Sequence, residues 1–383
     1  MKPIQMVDLT SQYARIQAEM DKAVLEVIRS GKYINGDAVQ AFAAELSQQV
    51  GANYAIPCAN GTDALQIALM ALDLQPGDEV IVPAFNYVAS AEAVALLKLK
   101  PVLVDVNPQT FNVDVDKIAD AISPKTKAII PVHLFGQSAD MEPILKIANE
   151  NGLFVVEDNA QSIGSIYSFS DGEQKQTGTI GDIGTLSFFP TKNLGCYGDG
   201  GAMLTNNETL AKKLKIIAAH GQSKKYTHEL LGCNSRLDTL QAAILKVKLP
   251  YLESYSMARQ KVAAQYNEGL KTLTNLLETP CHIPNSTHVY NQYTLKIKHN
   301  RRDDLQKYLK EKGVPTMVYY PLSLQQQPAF CHCGLDRQSP IIRIGSDLSE
   351  TEQLCQSVLS LPMHTELDEE QIRYIIEQIM KYE

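Results

Sequence analysis

The sequence lacks any apolar run long enough to cross a membrane. Its apolar stretches, such as residues 128–132 and 153–156, have the length of a strand and fall far short of ~18 residues. No apolar core follows Lys2, so no secretory signal is expected. Positive charge is not in excess either. A formal net charge of −8 argues against a nucleic-acid partner, which requires a basic face. A G-x-G-x-x-G dinucleotide fingerprint is missing, because the glycines of residues 195–201 follow a lysine and precede a strand-like run. That speaks against a nicotinamide-dependent dehydrogenase. A Walker P-loop, internal repeats and low-complexity segments are absent as well. The seven cysteines are scattered and odd in number, which suits reduced thiols in a cytoplasm. Cys331-His332-Cys333 has no second Cys/His pair at zinc spacing, so no metal site is expected.

What is present reads as an α/β enzyme. A chain of 383 residues exceeds what one core usually supports, so two domains are expected, a large one over 1–249 and a smaller one over 250–383. Short apolar runs at 54–58, 79–83, 102–106, 128–132, 153–157, 185–189 and 201–205 read as strands. Amphipathic stretches at 62–72, 88–99 and 141–150 lie between them. This alternation implies a mostly parallel, doubly wound sheet with ligands at the carboxyl ends of its strands. Residues 1–50 read as helical with a break at Gly31 and Gly36. After Pro250 the pattern becomes α+β: a long helix to about residue 277, a strand at 293–297, and helices at 302–312 and 368–381. Arg301 and Arg302, at a helix start, read as solvated.

One lysine stands apart. Lys192 lies among Phe188, Phe189, Pro190 and Gly195 rather than on a polar helix face. Poor solvation lowers a lysine pKa and prepares the amine to attack a carbonyl. Upstream, the apolar run at 153–156 ends in Glu157-Asp158-Asn159-Ala160-Gln161, which puts a carboxylate at the end of a strand. An amine for an aldehyde, a carboxylate for a ring nitrogen and donors for a phosphate are the needs of pyridoxal 5'-phosphate (PLP). Asn60-Gly61-Thr62-Asp63 opens a helix after a strand, and free N–H groups there suit a phosphate. Ser187 supplies a second side to that cup. Gln161 is positioned to reach the ring hydroxyl. Tyr87, ahead of Phe85, is the candidate to stack on the pyridine.

These residues resemble the DegT-type sugar-nucleotide aminotransferases, PLP enzymes of fold type I. The likeness runs from Val7-Asp8-Leu9 to Leu361-Pro362-Met363-His364. It is most specific in Ala59 to Gln66, Glu157 to Ser162, Ser187 to Gly201, His220-Gly221-Gln222 and Asn234 to Ala243. The resemblance implies that Lys192 bonds to the PLP aldehyde, Asp158 pairs with the ring nitrogen and Gln161 meets the ring hydroxyl. Thr62, Asp63 and Ser187 would hold the phosphate, Asn234 would reach it from a partner subunit of a homodimer, and Arg236 would lie near the sugar nucleotide. Within the family the chain is similar to enzymes that use L-glutamate to aminate C3 of UDP-2-acetamido-2-deoxy-3-oxo-D-glucuronate for bacterial surface polysaccharide such as O-antigen. Amination at C4 or of a dTDP-linked keto sugar is the alternative, as is a PLP-binding regulatory relative without turnover. Two departures stand out. Tyr319-Tyr320-Pro321 replaces a His-Tyr-Pro substrate loop, and residues 330–348 do not match the family pattern. Tyr319 and Tyr320 are the candidate sugar contacts.

Overall fold

The computed structural model describes residues 2–330 and 341–383. The Cys331-His332-Cys333 motif lies outside the described residues. Three helices open the chain: α1 (Leu9–Arg15), α2 (Gln17–Ser30) and α3 (Asp37–Val50). Gly31, at a positive φ of 67°, ends α2, so the expected break falls there.

The next stretch alternates strand and helix: β1 (Tyr54–Cys58), α4 (Gly61–Ala71), β2 (Glu79–Pro83), α5 (Ala89–Leu96), β3 (Lys100–Val104), α6 (Val115–Ala121), β4 (Thr126–Ile129), α7 (Met141–Asn151) and β5 (Phe154–Asp158). A short hairpin of β6 (Ile166–Ser168) and β7 (Gln174–Gln176) follows, then β8 (Ile183–Ser187), β9 (Gly201–Thr205) and α8 (Glu208–Ala218). A second hairpin, β10 (Gln222–Lys224) and β11 (Thr227–His228), leads to α9 (Thr239–Lys248) and α10 (Leu252–Leu270). The last part holds β12 (Leu277–Glu278), β13 (Tyr293–Ile297), α11 (Arg302–Glu311), β14 (Arg343–Ile344), α12 (Ser349–Ser357), β15 (Val358–Leu361) and α13 (Glu369–Tyr382).

The main sheet has eight strands in the order β1-β9-β8-β5-β4-β2-β3-β14. β9 runs against both of its neighbours, and the pairs from β8 to β14 are parallel. Every residue of β2 is buried, as expected of a strand covered on both faces. Its side chains alternate between two cores. Val80 and Val82 pack with Leu65, Ile67 and Leu214 of α4 and α8, while Ile81 packs with Ile118 and Ile144 of α6 and α7. A third core joins Leu186, Phe188 and Leu204 to Phe42, Leu46 and Leu245 of α3 and α9.

The smaller unit is a three-stranded antiparallel sheet, β12-β13-β15. Its core joins Tyr293 and Leu359 to Tyr266, Leu305 and Ile375 of α10, α11 and α13, together with Ile4 from the start of the chain. β14 leaves this unit and adds an edge to the main sheet, Arg343 opposite Val102. The fold is therefore α/β, a mixed and mostly parallel sheet with a smaller α+β unit.

Several expected boundaries shift. The strands expected at 102–106, 128–132 and 185–189 each sit about two residues earlier, because the apolar runs continue past the ladder into buried loops. The helix expected to reach 277 ends at Leu270, where turns at Leu273 and Leu276 take over. Arg301 and Arg302 are half-buried rather than fully solvated. Arg302 Nη1 donates to the Cys355 carbonyl at 3.1 Å, and Arg301 lies 4.6 Å from the Tyr382 ring centre.

Candidate active site

The parallel strands β5 and β8 end side by side, and the site is built on their carboxyl ends. Asp158 closes β5 and is 5% exposed. Its Oδ2 accepts from Ser90 Oγ at 2.5 Å, and Oδ1 accepts from the Ala160 N–H at 3.2 Å. Ser90 Oγ in turn accepts from Asn86 Nδ2 at 2.6 Å. The first turn of α5 thus reaches across to orient the carboxylate. Sequence reasoning missed Ser90, since Ala89-Ser90-Ala91 reads as a small-residue stretch inside a helix and carries no chemical signal.

Beside Asp158, Glu157 points the other way and is fully buried. It accepts from the N–H groups of Gly178, Ile180 and Gly181, each at 2.7 Å, and lies 2.8 Å from His133 Nε2. His133 Nδ1 accepts from the Ala139 N–H at 3.0 Å, so the imidazole carries its proton on Nε2 and donates it to Glu157. This carboxylate is a structural anchor. It fixes the turn between β7 and β8 and leaves Asp158 alone to face the site.

Lys192 rides on the connection from β8 to β9. Its N–H donates to the Phe189 carbonyl at 2.9 Å, and the Cys196 N–H returns to the Phe188 carbonyl at 2.8 Å. Gly195 closes the loop so tightly that a Cβ there would lie 2.3 Å from the Pro190 carbonyl oxygen. Burial pulls the Lys192 ammonium down to about 8, and the nearby Asp158 charge opposes that pull. About one tenth of the amine is therefore free base at pH 7, far more than for an ordinary lysine, while the same carboxylate stands within electrostatic reach.

Ser187 ends β8 and faces the start of α4. A Cβ on Gly61 would sit 2.8 Å from Ser187 Cβ, so only glycine lets the helix end approach. Asn60 caps α4 by accepting from the Asp63 N–H at 2.8 Å, and its carbonyl takes the Ala64 N–H at 3.1 Å. Among the described residues the N–H groups of Gly61 and Thr62 have no backbone partner of this kind, and they stand at the helix end that Ser187 adjoins. Bare N–H groups at a helix start, a hydroxyl and a missing Cβ form a cradle for an anion.

Gln161 is buried rather than a surface amide. Its Oε1 accepts from the Phe135 N–H at 2.9 Å, and Nε2 donates to Tyr320 Oη at 3.1 Å. An amide nitrogen carries two hydrogens, so one remains for a ligand. Tyr320 joins an aromatic cluster, with ring centres 6.1 Å from Phe85 and 6.2 Å from Tyr87. Burial raises its hydroxyl, and Asp158 adds to the effect, so the phenol stays protonated. Phe85 is a core residue at 1% exposure, whereas Tyr87 is 57% exposed and free to cover a flat ring. Tyr319 packs on Tyr320 at 5.9 Å.

Asn234 and Arg236 stand in an open groove of about 400 Å³ shared with Ala59, Asp199 and Asp238. The Ala59 N–H donates to Ser235 Oγ at 3.0 Å, which ties this segment to the loop leading into α4. Arg236 Nε is buried without a partner among the described residues, the state of a cation awaiting an acceptor. The structure thus brings Lys192, Asp158, Gln161, Tyr87 and Tyr320 to one face, Gly61, Thr62, Asp63 and Ser187 to an adjoining cradle, and Asn234 and Arg236 to the groove beside it.

Residues 14–380 match the model of the DegT/DnrJ/EryC1/StrS aminotransferase family. The chain is 46% identical over 372 residues to the UDP-2-acetamido-2-deoxy-3-oxo-D-glucuronate aminotransferase of Pseudomonas aeruginosa, covering 97% of this chain and 98% of that protein. It is 45% identical over 380 residues to the pleiotropic regulatory protein of Geobacillus stearothermophilus, covering 99% and 98%. Among solved structures it superposes on a DegT DnrJ EryC1 StrS aminotransferase from Brucella abortus with a TM-score of 0.92, at 38% identity and 99% coverage of both chains. It superposes on ntda from Bacillus subtilis, solved with bound cofactor PMP, with a TM-score of 0.87 at 35% identity, covering 98% of this chain and 82% of that one. The chain belongs to the DegT/DnrJ/EryC1/StrS aminotransferase family.

Proposed function

We propose that this protein is a PLP-dependent aminotransferase that moves an amino group from L-glutamate to C3 of a keto sugar carried on a nucleotide, in the UDP-linked series. The observation that carries the reading is the desolvated amine of Lys192 within electrostatic reach of the Asp158 carboxylate. The fit to PLP is supported by the Gly61–Ser187 approach that a Cβ would block, by the spare hydrogen on Gln161 and by the lowered lysine. When bound, the cofactor supplies an aldehyde for an amine and a pyridine ring that takes up electron density as a substrate C–H bond breaks.

The chain's own groups do the rest. Lys192 Nζ would hold the cofactor aldehyde, and its free amine would take the proton from the substrate carbon and deliver it again as general base and then acid. Asp158, steadied by Ser90, keeps the proton on the ring nitrogen. Gln161 Nε2 reaches the ring hydroxyl and Tyr87 covers the ring. Gly61, Thr62, Asp63 and Ser187 bind the phosphate. Arg236, Tyr319 and Tyr320 meet the sugar nucleotide. We further read the protein as a cytoplasmic homodimer whose sites are shared, Asn234 reaching the partner's phosphate cradle. Tyr226 at 82% and Leu231 at 90% exposure, on and beside the second hairpin, are apolar residues that such an interface would cover.

The test is a coupled assay with L-glutamate and a panel of keto sugars. Formation of 2-oxoglutarate and a 3-amino sugar with the UDP-3-keto uronate supports the reading. Preference for a 4-keto or dTDP-linked sugar assigns the rival substrate. The likeness to a regulatory protein favours a second reading, binding of PLP without turnover, and failure of the glutamate half-reaction in a protein that holds PLP would establish it.

A further inference from the structure

A buried cation outside the cofactor constellation reaches the loop that carries Lys192. Lys248, the last residue of α9, is 1% exposed. Its Nζ donates to the Gly195 carbonyl at 2.8 Å and lies 4.3 Å from the centre of the Tyr197 ring. Among the described residues no carboxylate stands within ion-pair distance of it. A buried ammonium without a counter-ion is expensive, and an apolar side chain of similar length would fill the space more cheaply. The groups facing Lys248 are a carbonyl, an aromatic ring and the Cys196 thiol, which burial pushes up to about 11 and so keeps neutral. The ammonium itself is drawn down to about 8 by burial. What the lysine gains is a charge-assisted hydrogen bond to one carbonyl.

That carbonyl is well chosen. The loop folds back at Gly195 onto Pro190, with Lys192 at its apex, so the Gly195 peptide orients the whole turn. A second side chain of the same helix holds the next segment. Gln241 Oε1 accepts from the Tyr197 N–H at 2.9 Å, and Nε2 donates to the Tyr197 carbonyl at 3.3 Å. α9 is itself fixed, with Ala242, Ala243, Ile244 and Leu245 buried.

We propose that Lys248 is a positioning residue for transamination: its hydrogen bond to Gly195, backed by the Gln241 clamp on Tyr197, sets the location of the Lys192 amine relative to Asp158. This rests on the aminotransferase reading, since it assigns Lys192 the reacting amine. A displacement of about 1 Å at a reacting atom lowers rate by about 10²-fold.

The test uses Lys248→Met, Lys248→Arg and Gln241→Leu in the full chain. In the cofactor-free protein, the pH midpoint for acylation of Lys192 is read by peptide mass spectrometry, with thermal melting as the fold control. In the holoenzyme, kcat and KM for glutamate are read separately. Lys248→Met should stay folded, move the Lys192 midpoint below about 8 as the amine separates from the Asp158 charge that raises it, and lower kcat by about 10²-fold with KM little changed. Lys248→Arg should recover part of both, and Gln241→Leu should shift both less far in the same direction. A folded Lys248→Met with wild-type midpoint and kcat overturns the proposal. If Lys248→Met does not fold, Gln241→Leu decides: a shifted midpoint upholds the clamp and an unchanged one overturns it. If PLP never bonds to Lys192 in the wild type, the functional reading fails, and the midpoint measurement on cofactor-free protein still judges the positioning role.

Discussion

Replacing Asp158 with asparagine separates amine reactivity from turnover. In the cofactor-free chain two effects act on Lys192: burial lowers it and the Asp158 charge raises it, with a net value of about 8. Asparagine keeps the shape and most of the burial but removes the charge. An opposite charge within about 4–6 Å shifts a neighbour by one to three pKa units, so the lysine should drop to about 7 or lower. At pH 7 its free-base fraction then rises from about one tenth to about one half, a gain of about fivefold in acylation rate. Acylation at Lys192, measured by mass spectrometry against the exposed Lys146 as internal reference, reads this directly. Turnover should move the opposite way. Without a carboxylate on the ring nitrogen, charge developing in the transition state loses its partner, and kcat should fall by more than about 10²-fold. A faster-labelling amine in a nearly inactive enzyme is the expected outcome. Unchanged or slower labelling would refute the electrostatic link between the two residues.

Gly61→Ala should weaken PLP binding by about tenfold or more, the loss of one charge-assisted hydrogen bond, because its Cβ would meet Ser187 at 2.8 Å. Fluorescence titration of the cofactor-free protein checks it, and an unchanged Kd would remove Gly61 from the phosphate cradle. Glu157→Ala should destabilise the fold by about 3–5 kcal/mol in urea unfolding, since one buried and two part-buried N–H groups and the buried His133 lose their acceptor. A loss under about 1 kcal/mol would contradict the anchoring role. The contribution of Lys192 and Lys248 to the stability of the cofactor-free protein should rise between pH 8 and 10, read as the wild type minus a Lys192→Met, Lys248→Met double variant, since the thiols of Cys58, Cys196 and Cys355, raised by burial, pull the total the other way. The two lysines have folded values of about 8, below the ordinary 10.5, so in that window the unfolded chain binds more protons at these two sites than the native one. On the acid side, His288 and His364, lowered by burial to about 3 and about 4, should weaken the fold as pH falls below 6.5. Melting curves across pH test both arms, and a difference between wild type and double variant that stays flat from pH 8 to 10 would contradict the burial of the lysines.

Much of this molecule is legible in the sequence where local pattern and tertiary role agree. The runs at 54–58, 79–83, 201–205 and 293–297 are strands with those bounds, because turn residues or a helix cap stop the ladder on each side. Asp158 and Ser187 announce themselves by sitting where apolar runs end, which is where a parallel sheet presents its ligand. Other features have no local signature. Ser90 meets Asp158 across 68 residues, Gln161 meets Tyr320 across 159, and Lys248 meets Gly195 across 53. Each pairing depends on how helices settle on the sheet, and nothing in the flanking sequence marks a serine in a small-residue helix or a lysine at a helix end. Arg301 and Arg302 illustrate the same limit, since a basic pair at a helix start looks solvated until a neighbouring helix and a terminal tyrosine close over it.

The central claim is that one amine carries the cofactor. Purified protein loaded with PLP, reduced with borohydride and digested should yield a single PLP-modified peptide, the one containing Lys192, and Lys192→Ala should yield none. Modification at another lysine, or a wild-type protein that traps no cofactor, would contradict the account.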